Sequence, residues 1–236
     1  MDNITLPTHI GFIMDGNRRW AKERGLTTPQ GHKAGAEALD RMVEICYYKG
    51  IRHITFYAFS TENWTRADAE VTALMKLFEK YLEDLLKRWE AGDREPYRHT
   101  HIRFLGDLSK MNKTIRERAE KLERVTKSDD IRMTLNIALN YGGREDIVQA
   151  VNRAIKEGKT ELTEKDISDR LYTAPQPDPD MIVRTGGEMR LSNFLLWQSS
   201  YAEYYSDPLH WPDFDESRLD LALEAYGKRV RKFGGK

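Results

Sequence analysis

The sequence predicts a single α/β domain, built on a mainly parallel central sheet of about six strands flanked by helices. Three observations carry that prediction. Short runs rich in β-branched and aromatic residues alternate with longer stretches of helical period, the pattern of strands joined by crossover helices. The 236 residues suffice to bury one sizeable core, so one domain over 1–236 is expected. No internal repeat or low-complexity linker divides the chain.

The first strand is expected at 9–15, where His9-Ile-Gly-Phe-Ile-Met-Asp15 runs through an apolar stretch to a carboxylate. Gly16-Asn-Arg-Arg-Trp-Ala-Lys-Glu-Arg24 follows without a gap and reads as a helix start. Asp15 can hold a divalent cation such as Mg²⁺, and free N–H groups with Arg18 and Arg19 can hold an anion. Asp15 can also be a plain N-cap. A cap leaves unexplained two arginines in a first turn, where the helix dipole disfavours cations. A helix over 31–49 precedes a strand over 52–59. The polar loop of Ser60, Thr61, Glu62, Asn63 and Arg66 comes next, either a second binding loop or an ordinary cap for the helix over 68–90.

In that helix Val71, Leu74, Met75, Phe78, Leu82, Leu85, Leu86 and Trp89 recur at helical spacing, which by pattern alone reads as a core-facing stripe. Further strands are expected at 101–106, 131–140 and 180–185, with a short one at 203–206. Further helices are expected at 111–126, 143–157, 163–172 and 215–232. Residues 91–98 and the proline-rich 174–180 read as loops. After the strand at 180–185, Arg184-Thr-Gly-Gly-Glu-Met-Arg-Leu-Ser-Asn193 crowds arginines, glycines, a serine and an asparagine together. Arginine forks and close backbone approach suit a diphosphate, but a turn with solvated arginines fits this segment equally well on its own. Three polar loops, each after a strand, converge at the carboxyl edge of an open α/β sheet.

Composition excludes several classes. Lys plus Arg and Asp plus Glu number 38 each, so no broad basic field exists to bind nucleic acid. The single cysteine, Cys46, has no internal partner and fits a reducing cytoplasm. The start, Met1-Asp-Asn-Ile-Thr, lacks the basic residues of a signal peptide, and no apolar run approaches the roughly 20 residues of a membrane span. A cytoplasmic protein is expected, meeting any lipid peripherally at the membrane surface. His53, His99, His101 and His210 read as structural residues, and Gly142-Gly143-Arg144 as a turn into a helix. No Walker or Gly-x-Gly-x-x-Gly pattern supports a nucleotide enzyme.

The chain resembles the cis-prenyltransferases, and in particular the bacterial undecaprenyl diphosphate synthases (isoprenyl transferases). The resemblance lies in His9 to Trp20, Gly31-His-Lys-Ala-Gly35, Tyr57 to Trp64, Asn136 to Arg144, Arg184 to Gln198 and Trp211-Pro-Asp-Phe214, in family order over nearly the whole chain. It implies successive cis condensation of isopentenyl diphosphate onto an allylic diphosphate, usually farnesyl diphosphate. The implied product is a long polyprenyl diphosphate such as undecaprenyl diphosphate, the lipid carrier of cell-wall synthesis. Mg²⁺ and a homodimer are implied with it. So is an apolar tunnel between the helix over 68–90 and the one before it, which contributes Ala36, Leu39, Met42, Val43 and Cys46. The small Ala58 would leave the tunnel mouth open.

By the same resemblance, Asp15 is the central catalytic residue and a metal ligand, and Glu203 the second metal carboxylate, serving the neighbouring subunit. Gly16, Asn17, Arg18 and Arg19 cradle the allylic diphosphate, with Trp20 and His32 beside them. Arg184, Arg190, Leu191 and Ser192 bind isopentenyl diphosphate, and Ser60, Thr61, Glu62, Trp64 and Arg66 shape the space between the substrates. Asn63 takes the family's proton-acceptor role, although a neutral amide is a poor base. Three positions depart from the pattern: Thr28 and Lys232 stand where relatives carry arginine, and Met189 where they carry histidine or glutamine. The alternatives are a non-catalytic partner subunit of the same fold and a shorter-chain synthase. The first is disfavoured because Asp15, Asn63, Arg184, Arg190 and Ser192 are all kept.

Overall fold

The computed structural model describes residues 5–92 and 94–229. Six strands form one sheet: β1 (His9–Ile13), β2 (His53–Ser60), β3 (Thr100–Leu105), β4 (Met133–Tyr141), β5 (Met181–Arg184) and β6 (Glu203–Ser206). Their order is β3-β4-β2-β1-β5-β6, and every neighbouring pair is parallel. The helices are α1 (Asn17–Glu23), α2 (Thr28–Tyr48), α3 (Asp68–Ala91), α4 (Glu95–Arg98), α5 (Lys113–Val125), α6 (Gly143–Lys156), α7 (Glu164–Ser168) and α8 (Glu216–Gly227). After β1 the chain moves toward β2 and the β3 edge; after β4 it returns past β1 to build β5 and β6. The topological switch therefore falls between β1 and β5, where an open α/β sheet leaves a crevice at its carboxyl edge.

All six expected strands form. Boundaries shift where capping chemistry outweighs hydrophobic pattern. Helix α2 begins at Thr28 because Pro29 suits a first turn and the Gln30 side chain reaches back to the Thr27 N–H at 2.8 Å. Helix α7 stops at Ser168 rather than 172, and the chain turns there toward the proline-rich loop. The short α4 forms inside an expected loop, with Pro96 in its first turn. Helix α8 ends at Gly227; the tail from Arg231 to Lys236, with Lys232, lies outside the described residues.

Both faces of the sheet are covered. Ile10 and Phe12 of β1 and Ile54 and Phe56 of β2 pack with Leu39 and Met42 of α2 and with Trp211 and Phe214. On the other face Ile13, Ile182 and Tyr141 pack with Phe194 and Leu195. Strand β4, between β2 and β3, is buried along its whole length, as a strand covered on both sides must be. Across the sheet runs a buried polar chain. His9 Nδ1 lies 2.7 Å from the Pro177 carbonyl, which can only accept, so Nδ1 carries the proton and Nε2 accepts from Thr55 Oγ1 at 2.8 Å. Asn136 donates to Thr55 and to Gln176. Burial pushes the His9 pKa down to about 4 and keeps the ring neutral. This chain pins the 174–180 loop that leads into β5.

Helix α1 rests on α2 through two glycines. A Cβ on Gly31 would lie 2.3 Å from the Asn17 carbonyl oxygen, and one on Gly35 2.5 Å from Asn17 Oδ1. Both glycines thus set the distance at which the α1 start sits beside the sheet edge. Gly31→Ala should lower stability by about 1–3 kcal/mol despite alanine's better helix propensity, because backbone must move. Denaturant melts would check this, and an unchanged or raised midpoint would refute the close-approach reading.

Candidate active site

The carboxyl ends of β1 and β5 meet at the switch point and bring Asp15 and Arg184 together. Arg184 Nη2 donates to Asp15 Oδ2 at 2.9 Å, and Arg19 Nη2 stands 3.2 Å from Asp15 Oδ1. The other Arg184 nitrogen donates to Ser192 Oγ at 2.8 Å and to the Arg190 carbonyl. Partial burial works to raise the Asp15 pKa. The hydrogen bond and charge of Arg184, then Arg19, outweigh it and hold the carboxyl below its ordinary value. The Asp15 carbonyl accepts from Thr185 Oγ1 at 2.7 Å and from Trp211 N at 3.0 Å, which fixes the backbone at the strand end. Gly16, at φ 107°, makes the turn into α1. A Cβ there would lie 2.5 Å from His210 Nδ1.

Asp15 and Arg184 open on a polar cleft of about 860 Å³, also lined by Asn17, His32, Ser60, Asn63, Arg66, Arg190 and Ser192. Asn17 Oδ1, His32 Nε2 and Arg184 Nε are buried without a hydrogen bond among the described residues. Buried polar groups are normally paired, so Asn17 Oδ1 and Arg184 Nε leave hydrogen-bonding capacity on this wall, while His32 Nε2 faces Glu70 Oε1 at 3.5 Å. Helix α1 has no acidic residue in its first turn and no side-chain cap, which leaves Arg18 and Arg19 at its start. Asp15 is the only carboxylate among the described residues lining the cleft, and no group of three or more metal-ligating side chains forms among them.

Two loops that carry the site are held by each other. Ser192, Asn193 and Leu195 have φ of 49°, 66° and 44°, unusual for residues with a Cβ. Asn193 Nδ2 donates to Glu62 at 2.7 Å, its Oδ1 accepts from Arg144 N at 3.0 Å, and its carbonyl accepts from Gly143 N at 2.7 Å. Tyr57 OH reaches the Ser192 carbonyl at 3.2 Å. These bonds over-determine the strained backbone that presents Ser192, the condition under which such strain persists. The Asn63 side-chain carbonyl accepts from Ser60 N at 3.2 Å, so its amide N–H groups remain for the cleft.

Other expected site residues stand behind the cleft wall. Trp64 donates to Asn140 Oδ1 at 2.8 Å and packs on Phe59, while Thr61 abuts Gly142. Trp20 donates to Asp213 at 2.7 Å, with Arg24 over its ring. Leu191 lines a further hollow beside β5 and β6, which shares Ile13, Arg184 and Arg190 with the cleft. Glu203 starts β6, level with Met181 rather than with Arg184, and pairs with Arg229 at 2.9 Å. It is therefore three strand positions from the carboxyl edge within its own chain. The sequence reading missed Glu70, on the first turn of α3, which contacts Arg66 at 3.0 Å and Arg18 and His32 at 3.5 Å. Burial and the nearby Arg66 charge lower the His32 pKa against the pull of Glu70, so the ring is neutral at pH 7. Asp-or-Glu in a first helical turn is too common a signal to single out Glu70.

A second cavity adjoins the first. It holds about 630 Å³ between α2, α3 and the sheet, and its lining is mostly apolar. Met14, Asn17, His32, Ala58 and Leu74 line both spaces.

The sequence matches the family described as "Putative undecaprenyl diphosphate synthase" over residues 13–234. It is 49% identical to an isoprenyl transferase of Fusobacterium nucleatum over 98% of this chain and 96% of that protein. Its fold is similar to a lavandulyl diphosphate synthase from Lavandula x intermedia, solved with dimethylallyl diphosphate. That comparison gives a TM-score of 0.89 and 32% identity over 97% of this chain and 98% of the other. It is also similar to a "probable undecaprenyl diphosphate synthase" from Campylobacter jejuni, with a TM-score of 0.81 and 30% identity over 98% and 99% of the two chains. The chain belongs to this undecaprenyl diphosphate synthase family.

The depressed Asp15 pKa fixes a sign. The carboxylate stabilises the fold above its ordinary value of 3.8, and that contribution is lost as pH falls through the lower folded value. The stability gap between wild type and Asp15→Asn should therefore be widest near neutrality and close in acid. Urea melts across pH check this; a gap independent of pH would break the link to the Arg184 pair.

Proposed function

We propose that this prenyltransferase condenses isopentenyl diphosphate onto an allylic diphosphate, with farnesyl diphosphate as primer, and repeats the step to build a cis-polyprenyl diphosphate. The observation that carries the reading is the junction of the two cavities. A cleft rich in arginine and unpaired polar atoms shares Met14, Asn17, His32, Ala58 and Leu74 with an apolar space. A diphosphate headgroup on a hydrocarbon tail has that same division, and apolar walls remove the tail from water. In this reading the apolar space is the product tunnel.

In each turn the allylic C1–O bond breaks and pyrophosphate leaves. C4 of isopentenyl diphosphate bonds to that C1, and one proton leaves C2. Negative charge builds on the departing diphosphate, and donors fixed in advance oppose it most effectively. Arg19, Arg66, Arg184 and Arg190 supply guanidinium groups, and Ser192 adds a hydroxyl. Asn63 cannot take the proton itself. With its carbonyl held by Ser60, its amide donates to a diphosphate oxygen and orients that oxygen to receive the proton.

A lone carboxylate in an anion-binding cleft suits Mg²⁺, which is commonly held by one or two carboxylates and substrate phosphates. Asp15 would hold it, and the bound ion supplies charge neutralisation at the diphosphate. A role for Glu203 requires a second copy of the chain, and exposed Met189, Tyr201, Tyr204 and Leu209 near the β6 edge support a homodimer. No helix among the described residues is long and apolar enough to cross a membrane. A cytoplasmic enzyme that releases its lipid product at the membrane surface is the reading we adopt.

Purified protein with labelled isopentenyl diphosphate, farnesyl diphosphate and Mg²⁺ should give a ladder of extracted prenyl products. No incorporation would reject the function. Sizing the ladder separates an undecaprenyl product from a shorter one. Asn63→Ala should cut kcat on the order of 10²-fold or more while the apparent KM values stay within a few-fold; equal turnover would remove Asn63 from the chemistry.

A further inference from the structure

We propose that His210 is a positioning residue which, through Glu23, sets the angle at which α1 presents Asn17, Arg18 and Arg19 to the allylic diphosphate. The inference rests on the prenyl-elongation reading above.

Helix α1 does little to hold itself. It has seven residues, no side-chain cap and no acidic residue in its first turn. Helices that short are unstable in water on their own. Arg18 and Arg19 oppose its dipole at the start, and Glu23 opposes it at the end. Its direction must therefore come from outside.

The segment 209–213 supplies it. His210 packs on the turn before α1, where a Cβ on Gly16 would meet His210 Nδ1 at 2.5 Å and its Cα at 2.9 Å. From there the ring reaches the far end of the helix, with Nε2 2.9 Å from Glu23 Oε1. A carboxylate only accepts, so Nε2 carries the proton and donates. Helical side chains lean toward their own N-terminus, which lets Glu23 reach back. The neighbours of His210 are fixed on the site itself: the Leu209 carbonyl accepts from Gly186 N at 2.7 Å, and Trp211 N donates to the Asp15 carbonyl at 3.0 Å. Trp20 and Arg24 both donate to the Asp213 carboxylate, at 2.7 and 2.9 Å. Those bonds attach α1 at one point. The His210–Glu23 bond is a second point, and two are needed to stop the helix from rotating about the first.

The test measures farnesyl diphosphate binding by calorimetry, without isopentenyl diphosphate so that no turnover occurs. It compares wild type, Glu23→Ala, Glu23→Gln, His210→Ala and the double alanine variant. Each single alanine variant should bind about 10-fold more weakly, as for a lost hydrogen bond to a charged group. The double variant should be no weaker than either single one. Glu23→Gln keeps an acceptor for Nε2 and should lie near wild type. The apparent KM for isopentenyl diphosphate, which the reading places on the loop after β5, should stay within a few-fold. If Glu23 acted only as a negative charge near an anion site, both of its variants would bind more tightly. Unchanged or tighter binding, additive effects, or an equal rise in the KM for isopentenyl diphosphate would overturn the strut and leave the elongation reading intact. The Glu23 side chain is 59% exposed, so if His210→Ala does not fold, the two Glu23 variants decide alone. Absence of farnesyl diphosphate binding by the wild type would overturn the elongation reading and the strut with it.

Discussion

The pairing of Asp15 with Arg184 is the interaction on which the rest of the site depends. It joins two strands that are neighbours in space and 169 residues apart in the chain. It can form only because β1 and β5 lie side by side at the point where the sheet changes direction. Arg184 is almost fully buried, so its charge must be answered locally. Asp15, Ser192 and the Arg190 carbonyl answer it, and in doing so they fix where the guanidinium points. The guanidinium is thus oriented in advance, the condition under which fixed donors stabilise developing charge most effectively.

Around that pair the molecule keeps its backbone close and its loops under restraint. Gly31 and Gly35 let the start of α1 sit against α2, and Gly11 admits Phe194 beneath β1, where a Cβ would lie 3.0 Å from the ring. The left-handed residues at 192, 193 and 195 are held by bonds from Glu62, Arg144, Gly143 and Tyr57. The loop after β2 and the loop after β5 thus share one hydrogen-bond network. A change in either is felt by the other, which is why Thr61, Glu62 and Trp64 matter to the cleft although they stand behind its wall.

The two cavities differ in character. The cleft at the sheet edge is lined by polar and charged groups whose partners are fixed by strand ends. The space between α2 and α3 is lined mostly by apolar side chains set by helical period. The junction of the two draws on Met14 after β1, Asn17 and His32 on α1 and α2, the small Ala58 on β2 and Leu74 on α3. The polar cluster of Asp40, Tyr81, Arg88 and Tyr97 at the other end is a second, independent set of restraints, built on the helices alone.

The sequence by itself determined the six strands, the parallel class and the three polar loops at one edge. These follow from alternation, periodicity and turn chemistry, which are local. It also marked Asp15, Asn63, Arg184 and Ser192 through motifs. It left helix ends to capping residues such as Gln30 and Thr27, and it gave no sign of α4. Only the tertiary structure decided that Glu70 gathers Arg18, His32 and Arg66, that Trp20 turns to Asp213, and that Glu203 sits away from Asp15. Those are contacts between segments far apart in the chain. Residue type and spacing carry no information about them until the sheet order and the packing of α1 on α2 bring the side chains within bonding distance.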